Sequence, residues 1–535
     1  MADLRVPSSE DEPDQPPGTF KLIRVDETGE RGHVVALDPT PSSDPNEPLN
    51  WSTLRKSVNF TIVSAMTIII FTALSTQSIF WQQMIPDMGV SYTQLNQAMS
   101  INFVGLATGC IFFIPFAKKY GRRPIYIISA ALMLATTFWM ARMDSLTELY
   151  ITNLLQGLAG ATNESIVEIT IADLYFVHHR GTMNGLYMSC VMIGSFLTPM
   201  AAGAQATRQG WRTSYLTMGA FKIVLFFCFA FLYEETKYVP VLTAQTSDVE
   251  EDTPDSGKTQ IKDIPVSYTL EEAQVTEATS SHHVLDHTIP LKSWRQRLAL
   301  ATPTPEPIWP NFYRPFEVLI FPAVAFSALQ YASGVAWLTV LSSVLSLTFP
   351  LPPYSFSPEQ IGYTSAGPLI GNIIGAVYGG YLGDRSILYY ARRNNGFYEP
   401  EMRLYILHIP AIMMAGGLVM FGATISRVSF DSPMWKLVAH ANISVGDALD
   451  MAKYCRCLVR ITGEAFTAVT FIRNAVSIGI PFAITPWIQR QGIQNMFIVC
   501  GMISLGVSAT IVPLVIWGKA ARRALAARYR DIVDI

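Results

Sequence analysis

The sequence predicts an all-α membrane protein made of two pseudo-symmetric six-helix bundles. Three observations carry that expectation. Only 15% of the 535 residues are charged while 50% are hydrophobic, against roughly one quarter charged in soluble domains. Apolar runs long enough to cross a bilayer, about 20 residues each, recur along the chain in groups of six and five around a polar gap. A short basic loop with glycine follows the second run, and a related one follows the eighth, as expected of two related halves. The net charge of −3 and the lack of a basic surface exclude nucleic acid as a partner.

Residues 1–56 open with acidic, Pro-rich text (SSEDEPDQPPG). Such a segment cannot bury enough surface to fold, so a disordered cytosolic tail is expected. It holds no apolar core of a cleavable signal peptide, so the first span is expected to act as its own insertion signal. Spans are placed at about 57–80, 97–117, 124–142, 147–176, 182–206 and 213–233, forming an N-terminal bundle over 57–233. Residues 234–312, with SDVEEDTPDSGK, read as a mostly disordered cytosolic linker in which WRQRL at 294–298 starts a short surface helix. Spans at about 314–346, 361–383, 404–425, 462–487 and 493–517 build a second bundle over 313–518, followed by a tail at 519–535.

The tenth of twelve spans belongs between Arg427 and Arg460, where no sufficiently long uncharged apolar run exists. A charge in mid-bilayer costs about 3 kcal/mol even on lenient scales. Either a weak span near 435–452 is sheltered by its neighbours, or the stretch departs from the design, as a misread exon would make it do. Lys and Arg set the orientation. Lys118, Lys119, Arg122, Arg123, Arg180 and Lys237 in the first half share one side with Arg385, Arg392, Arg393, Arg403 and the C-terminal basic cluster. Both termini are therefore expected in the cytosol and the chain in the plasma membrane, which also requires an even number of spans.

The six cysteines form no CxxC pair, and four lie in apolar runs, so packing is their expected role. No metal site, no cofactor and no enzyme activity are expected: the HHRG text at 178–181 lacks further ligands, and there is no phosphate-binding Walker loop.

The loop after the second span reads PFAKKYGRRP, with Gly121, Arg122 and Arg123, and its counterpart GGYLGDR holds Asp384 and Arg385. Plain anchoring by positive charge accounts for the paired arginines. The pattern also resembles the major facilitator superfamily, whose cytosolic motif is Gly-x-x-x-Asp-Arg-x-Gly-Arg-Arg. The resemblance implies that these charges latch neighbouring helices at a cytosolic gate. The first copy carries Lys118 where that family has Asp, and the second lacks the trailing Gly-Arg-Arg. In the fifth span Gly185, Gly194, Thr198, Pro199 and Gly203 are similar to the antiporter motif of drug:proton exporters, with Thr198 and Ala202 in place of two glycines. Helix packing alone also uses small residues; the resemblance implies efflux.

The fourth span is the most polar, with Asn153, Gln156, Glu164 and Glu168. Glu164 and Glu168 are four apart and share a helix face. Burial and mutual repulsion both favour a protonated carboxyl, the physical requirement for proton coupling. The plain alternative is a satisfied structural carboxylate at 164 and an interfacial one at 168. Where the superfamily has Arg-x-x-Gln-Gly, with the Arg implied in proton transfer, this chain has Asn153. In the eleventh span Glu464 is an interfacial or functional carboxylate, and Arg473 is expected to pair across the cavity or to snorkel. Asn442 lies in a glycosylation sequon if that region is exposed outside.

Further stretches, including DPNEPLNWS, IADLYFVHHRG and RRNNGFYEPEMRL, are similar to a fungal 12-spanner drug:proton antiporter group. The resemblance implies a monomeric, proton-coupled exporter of a small amphipathic molecule: a drug, toxin or fungal secondary metabolite. The alternatives are uptake of an organic cation such as a polyamine, with the carboxylates binding cargo, and a transport-inactive paralogue. The expected partners are membrane lipid, the small-molecule cargo and protons.

Overall fold

The computed structural model describes residues 19–21, 44–238, 289–304, 307–352, 354–378, 382–394, 396–426 and 462–533. The first half runs through α1 (Thr53–Met88), α2 (Tyr92–Tyr120), α3 (Arg122–Met140), α4 (Leu146–Leu174), α5 (Val177–Met192), α6 (Thr198–Gln209) and α7 (Trp211–Phe231). The connection carries α8 (Trp294–Arg297) and α9 (Pro310–Glu317). The second half holds α10 (Pro322–Thr348), α11 (Pro358–Tyr363), α12 (Ala366–Val377), α13 (Gly383–Arg393), α14 (His408–Ser426), α15 (Thr462–Ala509), α16 (Ile511–Ala524) and α17 (Ala526–Val533). Among the described residues, eight helices are long and apolar enough to cross a membrane. The fourth helix is long enough too but is more polar. The expected tenth span, and Asn442 with it, lies outside the described residues.

Local sequence explains the helix ends. α2, α4 and α11 open with capping boxes, Ser91 with Gln94, Ser145 with Glu148 and Ser357 with Gln360, which satisfy orphan N–H groups reciprocally. These starts share one end of the molecule; the Lys- and Arg-bearing loops share the other, hereafter the basic end. α5 continues into α6 through a π-helical turn at Ile193–Leu197. Pro199 has no N–H for the carbonyl four residues back, and a π-turn absorbs that break. α15 changes direction at Gly492, with φ +74°, a left-handed conformation that suits glycine. Its start and the chain's end then meet: Val469 packs in one cluster with Ala465, Ile472, Leu525 and Tyr529.

Close packing of α2 on α4 rests on missing side chains. A Cβ on Gly157 would strike the Asn102 carbonyl, and one on Gly105 the Leu154 carbonyl. Larger apolar side chains gather differently at the two ends. Opposite the basic end, Phe80, Trp81, Met84 and Trp211 of the first half share one core with Trp337, Phe349, Phe421 and Phe497 of the second. Nearer the basic end each half keeps its own cluster, around Met66, Tyr126 and Phe229 in one and Val318, Phe321 and Val469 in the other. The seam between the halves is thus sealed by apolar packing at the end away from the basic loops.

Two stretches expected to lack structure are partly ordered. Within residues 1–56, Asp44 accepts from the Asn46 backbone at 2.8 Å, and buried Trp51 donates its indole N–H to the Asn46 carbonyl at 3.1 Å. This turn is held by Trp51, whose burial the acidic composition around it obscured. Farther upstream, Phe20–Lys21 (β1) pairs antiparallel with Phe397–Tyr398 (β2). Arg522 ties the same corner together by pairing with Glu401 at 2.7 Å and donating to Thr19 at 3.0 Å. Within 234–312, α8 forms where WRQRL was expected to start a helix, and residues 289–304 lie on the first half.

Candidate functional site

The geometry centres on Glu164. It sits ten residues before the end of α4, about 15 Å into the helix from the basic end. Arg473 enters at a similar depth on α15, from the other half. Both side chains are buried, 4% and 5% exposed, and they form an ion pair across the seam. Each nitrogen of the guanidinium has a partner. Its Nη1 donates to the Tyr331 hydroxyl at 2.6 Å, and its Nε and Nη2 donate to Asn474 Oδ1 at 3.0 and 2.7 Å. It also lies over the Tyr331 ring, 4.8 Å from the centroid. The Asn474 amide donates to Glu164 Oε2 at 3.2 Å. Two residues from the second half thus hold the cation while one carboxylate of the first half receives it. Cys110 on α2 lies alongside, accepting from Ser165 at 3.2 Å.

Burying two charges costs several kcal/mol each, recovered only with good pairing geometry and satisfied hydrogen bonds. This cluster supplies both. Its distinguishing property is where it stands: breaking or keeping it changes how the two halves hold each other.

Glu168 and Asn153, two further intramembrane candidates, make contacts of their own. Glu168 is half-buried and accepts from Asn184 of α5 at 2.9 Å, so the two carboxylates find separate partners. Asn153 is buried in the first half, donating to the Leu149 carbonyl at 2.8 Å and accepting at its own carbonyl from Asn102 at 3.1 Å. Gln156 is buried eight residues, about 12 Å along α4, from Glu164. Glu464 opens α15, and its side chain lies outside the described residues.

At the basic end the paired arginines build a second cluster. Glu235 accepts from the backbone N–H groups of Arg122 and Arg123 at 2.9 and 3.1 Å and of Lys237 at 2.9 Å. A carboxylate at the start of α3 satisfies orphan donors and suits the helix dipole. Gly121, at φ +111°, is needed here because a Cβ would strike that same carboxylate. The Arg122 side chain pairs with Asp173 at 3.0 Å. Buried Arg123 donates to the carbonyls of Tyr233 at 2.9 Å, Ala230 at 2.6 Å and Leu298. Every one of these partners belongs to the first half or to the connection after it. In the second half Arg385 is exposed, and the Asp384 side chain lies outside the described residues.

The small residues of the fifth span divide in the same way. Gly194 faces α1, where a Cβ would come within 2.6 Å of the Ile68 carbonyl. Thr198 joins Thr72 of α1 at 2.7 Å. Gly203 faces the other half, where a Cβ would stand 2.7 Å from the Pro358 carbonyl, and Gly362 approaches the Pro199 carbonyl in return. Gly185 has open space beside its Cα.

Sequence reasoning expected Arg473 to pair with a carboxylate across the cavity or to snorkel, without naming Glu164 as that carboxylate. It missed Glu235 and Asp173 as the partners of the paired arginines. The signal was available: two acids, in EETK and IADLY, stand at the same end of the bundle as two arginines. Among the described residues no three His, Cys, Asp or Glu side chains gather as a metal site.

A family model described as "Major Facilitator Superfamily" matches residues 63–449. The chain is 26% identical to an uncharacterized MFS-type transporter of Schizosaccharomyces pombe, over 97% of this chain and 94% of that protein. It is 26% identical to Protein HOL1 of Saccharomyces cerevisiae, over 96% of each. With Efflux pump bik6 of Gibberella fujikuroi it shares 24% identity, over 89% of this chain and 90% of the pump.

Proposed function

Because the chain belongs to the major facilitator superfamily and is therefore a multi-pass membrane transporter, we propose that it couples inward proton movement to export of a small amphipathic molecule. In this reading the membrane is the plasma membrane, and the basic end, with both termini, faces the cytosol. The observation that carries the proposal is the ion pair between Glu164 and Arg473 across the seam.

A proton on Glu164 removes the negative charge that Arg473 holds. Tyr331 and Asn474 keep the guanidinium in the second half, so protonation loosens the link between the halves without dislodging the cation. Loss of the proton restores it. The pair thereby biases two arrangements of the halves, as alternating access around a mid-membrane site requires. It also answers the substitution of Asn153 for the cation that the resemblance implies in the fourth helix: a cation reaches the carboxylate from the other half.

Export is supported by the fifth-span pattern, where Gly203 and Pro199 lie against α11 at the sealed end, and by similarity to a protein named as an efflux pump. Cargo of drug, toxin or secondary-metabolite type is part of this reading, taken from the resemblance to the drug:proton antiporter group. Uptake of an organic cation through Glu164 has less support, since Arg473 already occupies that carboxylate.

The test is transport by the purified chain in inside-out vesicles, with an imposed proton gradient and a panel of fluorescent amphipathic dyes. Dye should accumulate against its gradient only when protons are supplied on the opposite side, and Glu164→Gln should abolish that dependence. Accumulation that ignores the proton gradient would sink the coupling, and movement only along with protons would reverse the direction.

A further inference from the structure

The connection between the halves contains ATPTPEP at 301–307, two threonines each followed by proline. The structure lays the first part of this text against the loop after α2. The Thr302 N–H donates to the Tyr120 carbonyl at 2.8 Å and the Thr304 N–H to the Lys119 carbonyl at 3.2 Å. Lys237 gathers the ends: its ammonium donates to the Lys119 carbonyl at 2.7 Å, the Thr302 carbonyl at 3.0 Å and Thr304 Oγ1 at 3.0 Å. Upstream, the Arg297 carbonyl accepts from the Glu235 N–H at 3.3 Å, and the Leu298 carbonyl accepts from Arg123. Residues 297–304 are a strap over the cluster at the basic end. Beyond it, Phe312 and Phe316 of α9 sit with Cys110 and Pro115 of α2 and Ala468 and Phe471 of α15, so the strapped segment leads directly into the seam.

The two threonines face different charges. Buried Thr302 Oγ1 lies beside Gly121 and the Glu235 carboxylate, where added negative charge would be repelled. Thr304 is half-buried, and its hydroxyl accepts from the Lys237 ammonium at 3.0 Å and donates to the Lys119 carbonyl at 3.4 Å. We propose that Thr304 is a phosphorylation site and that its phosphate fastens the strap to the basic loop. The donor is a nucleoside triphosphate, and the catalyst a proline-directed protein kinase. The bond from the terminal phosphorus to the diphosphate breaks, a bond to Thr304 Oγ1 forms, and the hydroxyl proton leaves through the kinase's base. The phosphate adds about −1.5 to −2 charge and three acceptor oxygens. The Lys237 ammonium, already 3.0 Å from Thr304 Oγ1, is the donor that receives it. The modification needs the basic end in the cytosol, where such kinases act, and is independent of cargo and of proton coupling.

The experiment uses the full chain purified in detergent, treated with MgATP and a proline-directed kinase. Phosphate is mapped by mass spectrometry, and hydrogen exchange is followed across residues 298–304. Phosphate is expected on Thr304, with exchange slowed about tenfold by one new charge-assisted hydrogen bond. Thr304→Ala should take no phosphate there, and Lys237→Gln should be phosphorylated without the slowing. A wild-type chain that stays unmodified at Thr304, that takes phosphate on Thr302 instead, or that is modified at Thr304 with unchanged exchange overturns the proposal.

Discussion

Two of the arginine–carboxylate clusters among the described residues are built to opposite ends. At the basic end, Arg122, Arg123, Asp173 and Glu235 close on one another and on backbone carbonyls of the first half and its connection. In the membrane interior, Arg473 and Glu164 meet from different halves. The first cluster can stay intact while the halves move, so it acts as fixed hardware that holds α3, α4 and the end of α7 together. The second cannot be indifferent to that movement. The same pair of residue types is structural in one place and is the switch of the proposed mechanism in the other, and only the partner's address separates them.

The largest effect that can break this comparison is at Arg473. Arg473→Ala leaves a buried carboxylate uncompensated, which costs about 3–5 kcal/mol and should lower the thermal stability of the detergent-solubilised protein sharply. Adding Glu164→Gln to it should recover most of that stability while transport stays independent of pH. If the double variant is as unstable as the single one, the pair is not the source of the loss.

Glu235→Ala comes next. It strips the acceptor from three N–H groups, with about 1–3 kcal/mol at stake for a donor left unsatisfied. The expected result is lower stability with an unchanged pH profile of transport. A shifted pH profile would merge the two clusters into one coupled system.

The glycines sharpen the same contrast at smaller scale. Gly194→Ala crowds α1 within the first half and Gly203→Ala crowds Pro358 across the seam; overpacking of this kind costs about 1–3 kcal/mol. Gly194→Ala should reduce stability alone. Gly203→Ala should instead open the sealed end, seen as faster thiol labelling of a cysteine placed at Trp337. Equal labelling in the two variants would remove the distinction. The smallest effect belongs to Glu168→Gln: the glutamine oxygen can still accept from Asn184, so a change below about 1 kcal/mol in stability and less than twofold in transport is expected. Loss of proton dependence in that variant would move the coupling site one turn along α4.

Much of the architecture was legible in the amino-acid order because the bilayer makes local rules decisive. A span must be apolar for about 20 residues and must satisfy its backbone internally, so span positions follow from composition in a window. Capping boxes at Ser91, Ser145 and Ser357 likewise act within four residues of themselves. The same reasoning marked Glu164, Arg473 and the paired arginines as notable, since charge in or beside a span is expensive. It misjudged Asp44–Trp51 and the strap at 297–304, where order comes from contacts with distant segments rather than from composition.

What the tertiary structure alone decided is who meets whom. Residues 164 and 473 are separated by 309 positions, and no periodicity or spacing relates them. Their pairing depends on how two independently inserted bundles face each other, as does the contact of Gly203 with Pro358. Arg123 and Glu235 became partners within the first half and its connection, through the folding of α3 against the end of α7. Amino-acid order determined the spans, their ends and the list of charges that had to be accommodated. Packing of the halves determined which of those charges link them, because an ion pair is set by distances of a few ångströms that only the assembled bundle brings about.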